Sequence, residues 1–156
     1  RGLKRGLKAS VTKAEKEEFK ELLSTLGLGL ENRLTTKVGL LSGGQRQALT
    51  LLMATLNKPK LLLLDEHTAA LDPRTAQKVL SLSDAIIKEN KLMTLMVTHN
   101  MKDAITYGSR LIMMHEGKII LDIKGQEKKN LTVKTLMDQF ALVSGDEITS
   151  DKVLLS

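Results

Sequence analysis

An α/β fold with a parallel sheet, preceded by a helical segment, is predicted by three features of the sequence. Residues 61–64 form a continuous apolar run ending in Asp65-Glu66, the pattern of a strand buried on both faces. Residues 94–98 read as a second buried strand, and a long helical pattern lies between the two. The order strand, helix, strand, helix, strand then spells a parallel core, because parallel neighbours need a crossover.

The helical piece comes first. Thr12 with Glu15 three residues later makes a capping-box signature, and Phe19, Leu22, Leu23 and Leu26 recur at helical spacing, so a helix is expected over 11–26. Gly27 is its C-terminal stop. After a loop containing Gly29, Asn32, Thr35, Thr36 and Gly39, a second helix runs from Gly43 to about Asn57. Its apolar side carries Leu49, Leu52, Met53 and Leu56, and Pro59 ends it. Asp72 caps the long helix, with Pro73 at its first position, and apolar spacing carries it to about Asn90. Asn100 caps a short helix that stops at Gly108. Residues 111–115 and 118–123 read as strands joined at Glu116-Gly117, a hairpin signal. Residues 132–140 look helical, and 144–156 are weakly patterned, a tail expected to be loosely ordered.

Bulk properties are those of a globular domain. The chain has 156 residues, 42% apolar and 27% charged, with a net charge of +6. No apolar run approaches the roughly 18 residues of a membrane span, and no signal peptide is visible. The absence of cysteine excludes disulfides and thiolate metal sites. The positive charge is poor evidence for nucleic acid, because Phe19, Tyr107 and Phe140 are the only aromatic rings available for base stacking. The cluster Arg1, Lys4, Arg5 and Lys8 reads as a solvated face.

Three stretches carry candidate chemistry. Leu41-Ser42-Gly43-Gly44-Gln45 opens a helix, where bare backbone N–H groups and the helix dipole suit an anion. Ser42 with Gln45 is equally a capping box, and both readings stand. Asp65 and Glu66 end a buried strand, at the sheet edge where open α/β folds bind ligands. The first acid suits Mg²⁺, and the second suits orienting or deprotonating a water; a polar strand end entering a turn would look the same. His99 follows the second strand, and from there it can converge on the same edge. His115 has no such convergence and reads as structural, and the methionines read as core filler.

Each of these motifs occurs once, in this order, and together they resemble the ABC ATPase family over roughly residues 10–140. LSGGQ resembles the family's signature motif without a substitution. LLLLDE resembles its Walker B strand, with Asp65 in the magnesium position and Glu66 in the catalytic position. Ala70-Leu71-Asp72 resembles the D-loop, and His99 in VTHNM the switch histidine that senses the γ-phosphate. Residues 110–121, with Glu116-Gly117-Lys118-Ile119, are similar to the strand pair that follows. The resemblance implies ATP and Mg²⁺ as cofactors and catalytic roles for Glu66 and His99. It implies nucleotide contacts in trans from Ser42, Gly43, Gly44 and Gln45, the D-loop role for Asp72, and Mg²⁺ binding by Asp65. It also implies a partial P-loop ATPase core: residues 1–41 the remainder of a helical subdomain, 42–58 the signature helix, and 59–143 the ATPase core and C-terminal part.

Two departures stand out. His67 follows Glu66 where the family usually has Pro, so a local change in the turn is expected. No G-x-x-x-x-G-K-[ST] occurs in the 156 residues, and an adenine-stacking aromatic and a glutamine loop are unassigned. The expectation is an N-terminally truncated sequence, inactive by itself. The function implied for the complete protein is an ATP-hydrolysing subunit that drives membrane transport by pairing head to tail with a second nucleotide-binding domain, as a homodimer. Transmembrane permease subunits are the implied partners and the cytoplasmic face of the cell membrane the implied location, with no nucleic acid partner. The alternatives are a soluble ABC ATPase acting on nucleic acid or ribosomes, and a non-hydrolysing dimerisation fragment.

Overall fold

Thr12 begins the first helix as its sequence predicts: its hydroxyl accepts from Glu15 N–H while the Glu15 carboxylate accepts from Thr12 N–H, closing a capping box. The computed structural model describes residues 11–144, so the basic cluster at residues 1–8 and the tail from 145 onward lie outside the described residues. Contacts divide the chain into two units, one ending at Leu95 and one beginning at Met96.

In the first unit, α1 (Lys13–Ser24) is followed by two short 3₁₀ turns, Leu30–Asn32 and Val38–Leu40, and by α2 (Gly43–Thr55). The 3₁₀ turns fall in a stretch whose sequence reads only as loop. Leu26, Leu30, Leu41 and Ala48 form a buried cluster here, with Leu23, Leu28, Leu49, Leu52, Leu82 and Ile86 packed around it. Strand β1 (Leu62–Asp65) leads through a turn to α3 (Pro73–Asn90), which opens on Asp72 and Pro73 as predicted. Helix α3 ends at Lys91 in the left-handed region, φ 52°, a conformation glycine fills more easily.

Strand β2 (Thr94–Val97) pairs with β1 in a two-stranded parallel sheet, and Leu62 N–H donates to Met93 O at 2.9 Å. The α3 crossover makes the parallel arrangement available. Burial on both faces is not observed. Leu62 and Leu64 are buried, but Leu63 is 64% exposed, and Leu95 and Val97 are also exposed. Successive side chains of a strand point to opposite sides, and the described residues cover only one side of each.

In the second unit, Asn100 Oδ1 accepts from the N–H groups of Lys102 and Asp103 and so caps α4 (Met101–Thr106). Strands β3 (Arg110–His115) and β4 (Lys118–Lys124) form an antiparallel hairpin with an irregularity between Met113 and Met114. Glu116 (φ 45°) and Gly117 (φ 75°) are both left-handed, the requirement of a type I′ turn. Across this hairpin Arg110 and Asp122 form a two-pronged ion pair, which holds the Asp122 carboxyl below its ordinary pKa. Helix α5 (Gly125–Lys129) is legible only in the structure. Its Lys128 is buried and donates to Ile105 O and to Tyr107 O, at the end of α4. Helix α6 (Val133–Ser144) runs past the predicted limit, and Phe140 meets His115 edge-on, ring centroids 5.2 Å apart.

Candidate nucleotide site

The Ser42 capping box forms. Ser42 Oγ accepts from Gln45 N–H at 3.2 Å, and Gln45 Oε1 accepts from Ser42 N–H at 3.1 Å. Gln45 Nε2 also donates to Leu28 O at 3.1 Å, which ties the start of α2 to the loop after α1. Ser42 is exposed and keeps its own hydroxyl hydrogen to give. Gly43 and Gly44 hold the first two helical positions, whose N–H groups have no acceptor within the helix. Capping and anion binding are therefore compatible here: the cap uses the Ser42 lone pair and the Gln45 amide, and does not use the Ser42 hydroxyl hydrogen or the N–H groups of Gly43 and Gly44.

The glycines have a second reason. A β-carbon on Gly44 would lie 2.4 Å from Thr75 Cγ2, and one on Gly43 would lie 2.7 Å from Leu71 Cδ2. The first turn of α2 thus sits directly against the Leu71–Thr75 segment, and at Gly44, whose neighbour is the β-branched Thr75, a residue without a side chain is what allows that approach. Two stretches predicted separately, Ser42 to Gln45 and Ala70 to Asp72, are brought together by this contact. Thr75 is not legible from the sequence as part of it; its only signal is a Gly-Gly pair at a helix start, which demands a close neighbour without naming one.

Asp65 ends β1 and is exposed, as is Glu66. Glu66 has φ 41°, in the left-handed region that disfavours residues with a β-carbon. Its carbonyl accepts from Ala69 N–H at 3.0 Å, and Thr68 O accepts from Leu71 N–H at 3.1 Å, so consecutive turns carry the chain from β1 to Asp72. Asp72 Oδ1 accepts from Thr75 N–H at 3.0 Å. Hydrogen bonds from Thr75, its side chain first and then its backbone, hold the Asp72 carboxyl below its ordinary pKa. His67, the residue out of pattern, lies 3.2 Å by Nε2 from Ser83 Oγ on α3. His99 belongs to the second unit, exposed in the segment between β2 and α4. Beside it, Thr98 Oγ1 accepts from Asn100 N–H at 3.1 Å.

Among the described residues no group of three or more His, Cys, Asp and Glu side chains is disposed to hold a metal ion. Asp65 fits a Mg²⁺ that takes most of its ligands from phosphates and water, since Mg²⁺ commonly uses only one or two protein carboxylates.

Comparison with known proteins agrees with this geometry. The family described as ABC transporter matches residues 2–69. The chain is 54% identical over 122 residues to the tyrosine transport ATP-binding protein of Clostridioides difficile (strain R20291), covering 78% of this chain and 49% of that protein. It resembles the dimeric structure of a bacterial ABC transporter cassette with a TM-score of 0.57 and 30% identity, covering 77% of this chain and 50% of that one. An ATP-binding cassette of an ABC transporter in its ADP conformation shares the fold, with a TM-score of 0.63 at 24% identity, covering 83% of this chain and 51% of that one. The chain spans about half the length of the curated relatives it matches. It belongs to the ABC transporter ATP-binding family.

Proposed function

We propose that this chain serves in the ATP-binding and ATP-hydrolysing subunit of an ABC transporter. One observation carries the reading: the capped N-terminus of α2 is seated on the Leu71–Thr75 segment, a short turn away from the strand-end acids Asp65 and Glu66. That arrangement supports reading the α2 start as an anion-binding helix end, and Asp65 and Glu66, on one continuous segment, as a magnesium ligand and a base. In this reading the described part of the 1–41 segment, residues 11–41, belongs to the remainder of a helical subdomain, 42–58 hold the signature helix, and 59–143 are the ATPase core and C-terminal part.

The chain's own groups then have these tasks. Ser42 Oγ–H and the N–H groups of Gly43 and Gly44 donate to phosphate oxygens of a nucleotide held by the opposite domain, where charge develops. Gln45 holds the helix end in shape for them. Asp65 ligates the Mg²⁺ that accompanies ATP, and this ion neutralises phosphate charge when bound. Glu66 orients the attacking water and takes its proton. His99 donates to the γ-phosphate, and Asp72 fixes the segment that faces the second domain. The phosphate loop comes from outside residues 1–156. A second copy in a head-to-tail homodimer and transmembrane permease subunits are the partners, at the cytoplasmic membrane face. The similarity to a tyrosine transport protein supports amino-acid uptake as the cargo class.

The test is Glu66→Gln in the full-length protein. Turnover falls by about 10²-fold or more, while ATP binding persists and an ATP-dependent dimer accumulates on size exclusion. Turnover equal to the parent would refute the assignment.

A further inference from the structure

His67 occupies the second position of the four-residue turn that starts at Glu66 and closes with Ala69 N–H on Glu66 O at 3.0 Å. That position fixes the direction of the turn, and proline serves there because its ring sets φ. A histidine has no such restraint in its backbone. It has one in its side chain: Nε2 lies 3.2 Å from Ser83 Oγ, sixteen residues along the sequence.

The direction of that bond follows from Ser83. Its single hydroxyl hydrogen goes to Val79 O at 2.8 Å, one turn back on α3. Ser83 Oγ is therefore the acceptor, and His67 donates from Nε2–H. The anchor is firm: Ser83 is 3% exposed, midway along an 18-residue helix, on the same buried side as Val79 and Leu80. The anchored turn begins at a residue that resists its own conformation. At φ 41° Glu66 is in the left-handed region, a strained conformation for a residue with a β-carbon that is held only where surrounding structure over-determines it.

We propose that His67 is a positioning residue: its Nε2–H to Ser83 bond pins the turn to α3 and so holds Glu66 in its strained, productive presentation. The inference rests on reading Glu66 as the base for ATP hydrolysis. Its restraint is a side-chain tether in place of a ring, and the tether has two ends that can be cut separately.

The experiment uses the full-length ATPase with His67→Leu, Ser83→Ala, the double variant and His67→Gln. Cutting either end lowers kcat about tenfold, the scale of a modest displacement of a reacting group. KM for ATP stays within about twofold, because ground-state binding is untouched. The double variant is no slower than either single one, since both cut the same bond. His67→Gln, whose amide N–H reaches a similar place, restores most of the rate. The proposal is overturned if the His67→Leu and Ser83→Ala variants, folded by circular dichroism, keep the parental kcat while Glu66→Gln abolishes turnover. It is equally overturned if their losses multiply in the double variant, or if His67→Gln rescues nothing. An unaffected Glu66→Gln enzyme sinks the ATPase reading and this inference together, a result distinguishable from the others.

Discussion

Gly44→Ala tests the packing of α2 on the Leu71–Thr75 segment. The new methyl would stand 2.4 Å from Thr75 Cγ2, with Val79 Cγ2 behind it at 3.7 Å. Carbon atoms rest at about 3.5–4.0 Å, so the overlap exceeds an ångström. Thr75 yields poorly, because a β-branched side chain has few helical rotamers and its N–H is held by Asp72. Relief must come from moving one helix start against the other, and such overpacking costs about 1–3 kcal/mol. Alanine regains up to about 1 kcal/mol of helix propensity, less in a first turn. The net expectation is a loss of about 1–2 kcal/mol, or a drop in Tm of roughly 2–8 °C for a domain this size. Adding Thr75→Ser removes the opposing methyl and keeps the hydroxyl, and should recover most of the loss in urea unfolding. Gly43→Ala should stay within about 0.5 kcal/mol of the parent, because its neighbour is the movable end of the half-buried Leu71. A Gly44→Ala protein as stable as the parent, or one that Thr75→Ser fails to rescue, would refute the packing argument. Lost turnover without lost stability would mean that Gly44 matters only to the anion.

Four further outcomes are expected. Purified residues 1–156 should show no Mg-ATP turnover above background, since the sequence contains no phosphate loop; a phosphate-release assay checks this, and turnover abolished by Glu66→Gln would contradict it. His99→Ala in the full-length protein should lower kcat about tenfold or more through a lost γ-phosphate contact, read by steady-state kinetics. Asp72→Ala should lower Tm at neutral pH, and this penalty should shrink on acidification. The folded-state pKa of Asp72 lies below its ordinary 3.8, so its contribution is complete above that value and is lost as pH falls through the lowered one. Lys128→Met should destabilise the protein by about 1–3 kcal/mol in urea unfolding, because it leaves Ile105 O and Tyr107 O without their buried donor.

The helix starts are the most legible part of the fold. Thr12, Ser42, Asp72 and Asn100 all carry a capping signature in the sequence, and all four accept from backbone N–H groups. Caps are local, so four consecutive residues contain the whole reason. The Glu116-Gly117 hairpin is legible for the same cause. What escapes the sequence is anything set by distant neighbours. Residues 61–64 are leucines throughout, and an unbroken apolar run cannot reveal that Leu62 and Leu64 turn inward while Leu61 and Leu63 turn outward. Helix α5 exists around a buried Lys128, which no hydrophobic period would mark. In the candidate site, Asp65, Glu66 and Asp72 can be named from motif and order. The neighbours on α3, Thr75 bonded to Asp72 and Ser83 bonded to His67, answer to a helical geometry that the motif does not encode.

The self-capped start of α2 has a consequence for repeated use. An arm that needed an anion to stay wound would fray each time the anion left, and rewinding costs about 1–2 kcal/mol per residue in backbone entropy. Here Ser42 and Gln45 satisfy one another, and Leu28 O accepts from the Gln45 amide, so the chain's own groups hold the helix start. On the proposed reading, free energy gained by a phosphate at Gly43 and Gly44 would then go to moving domains instead of ordering a loop.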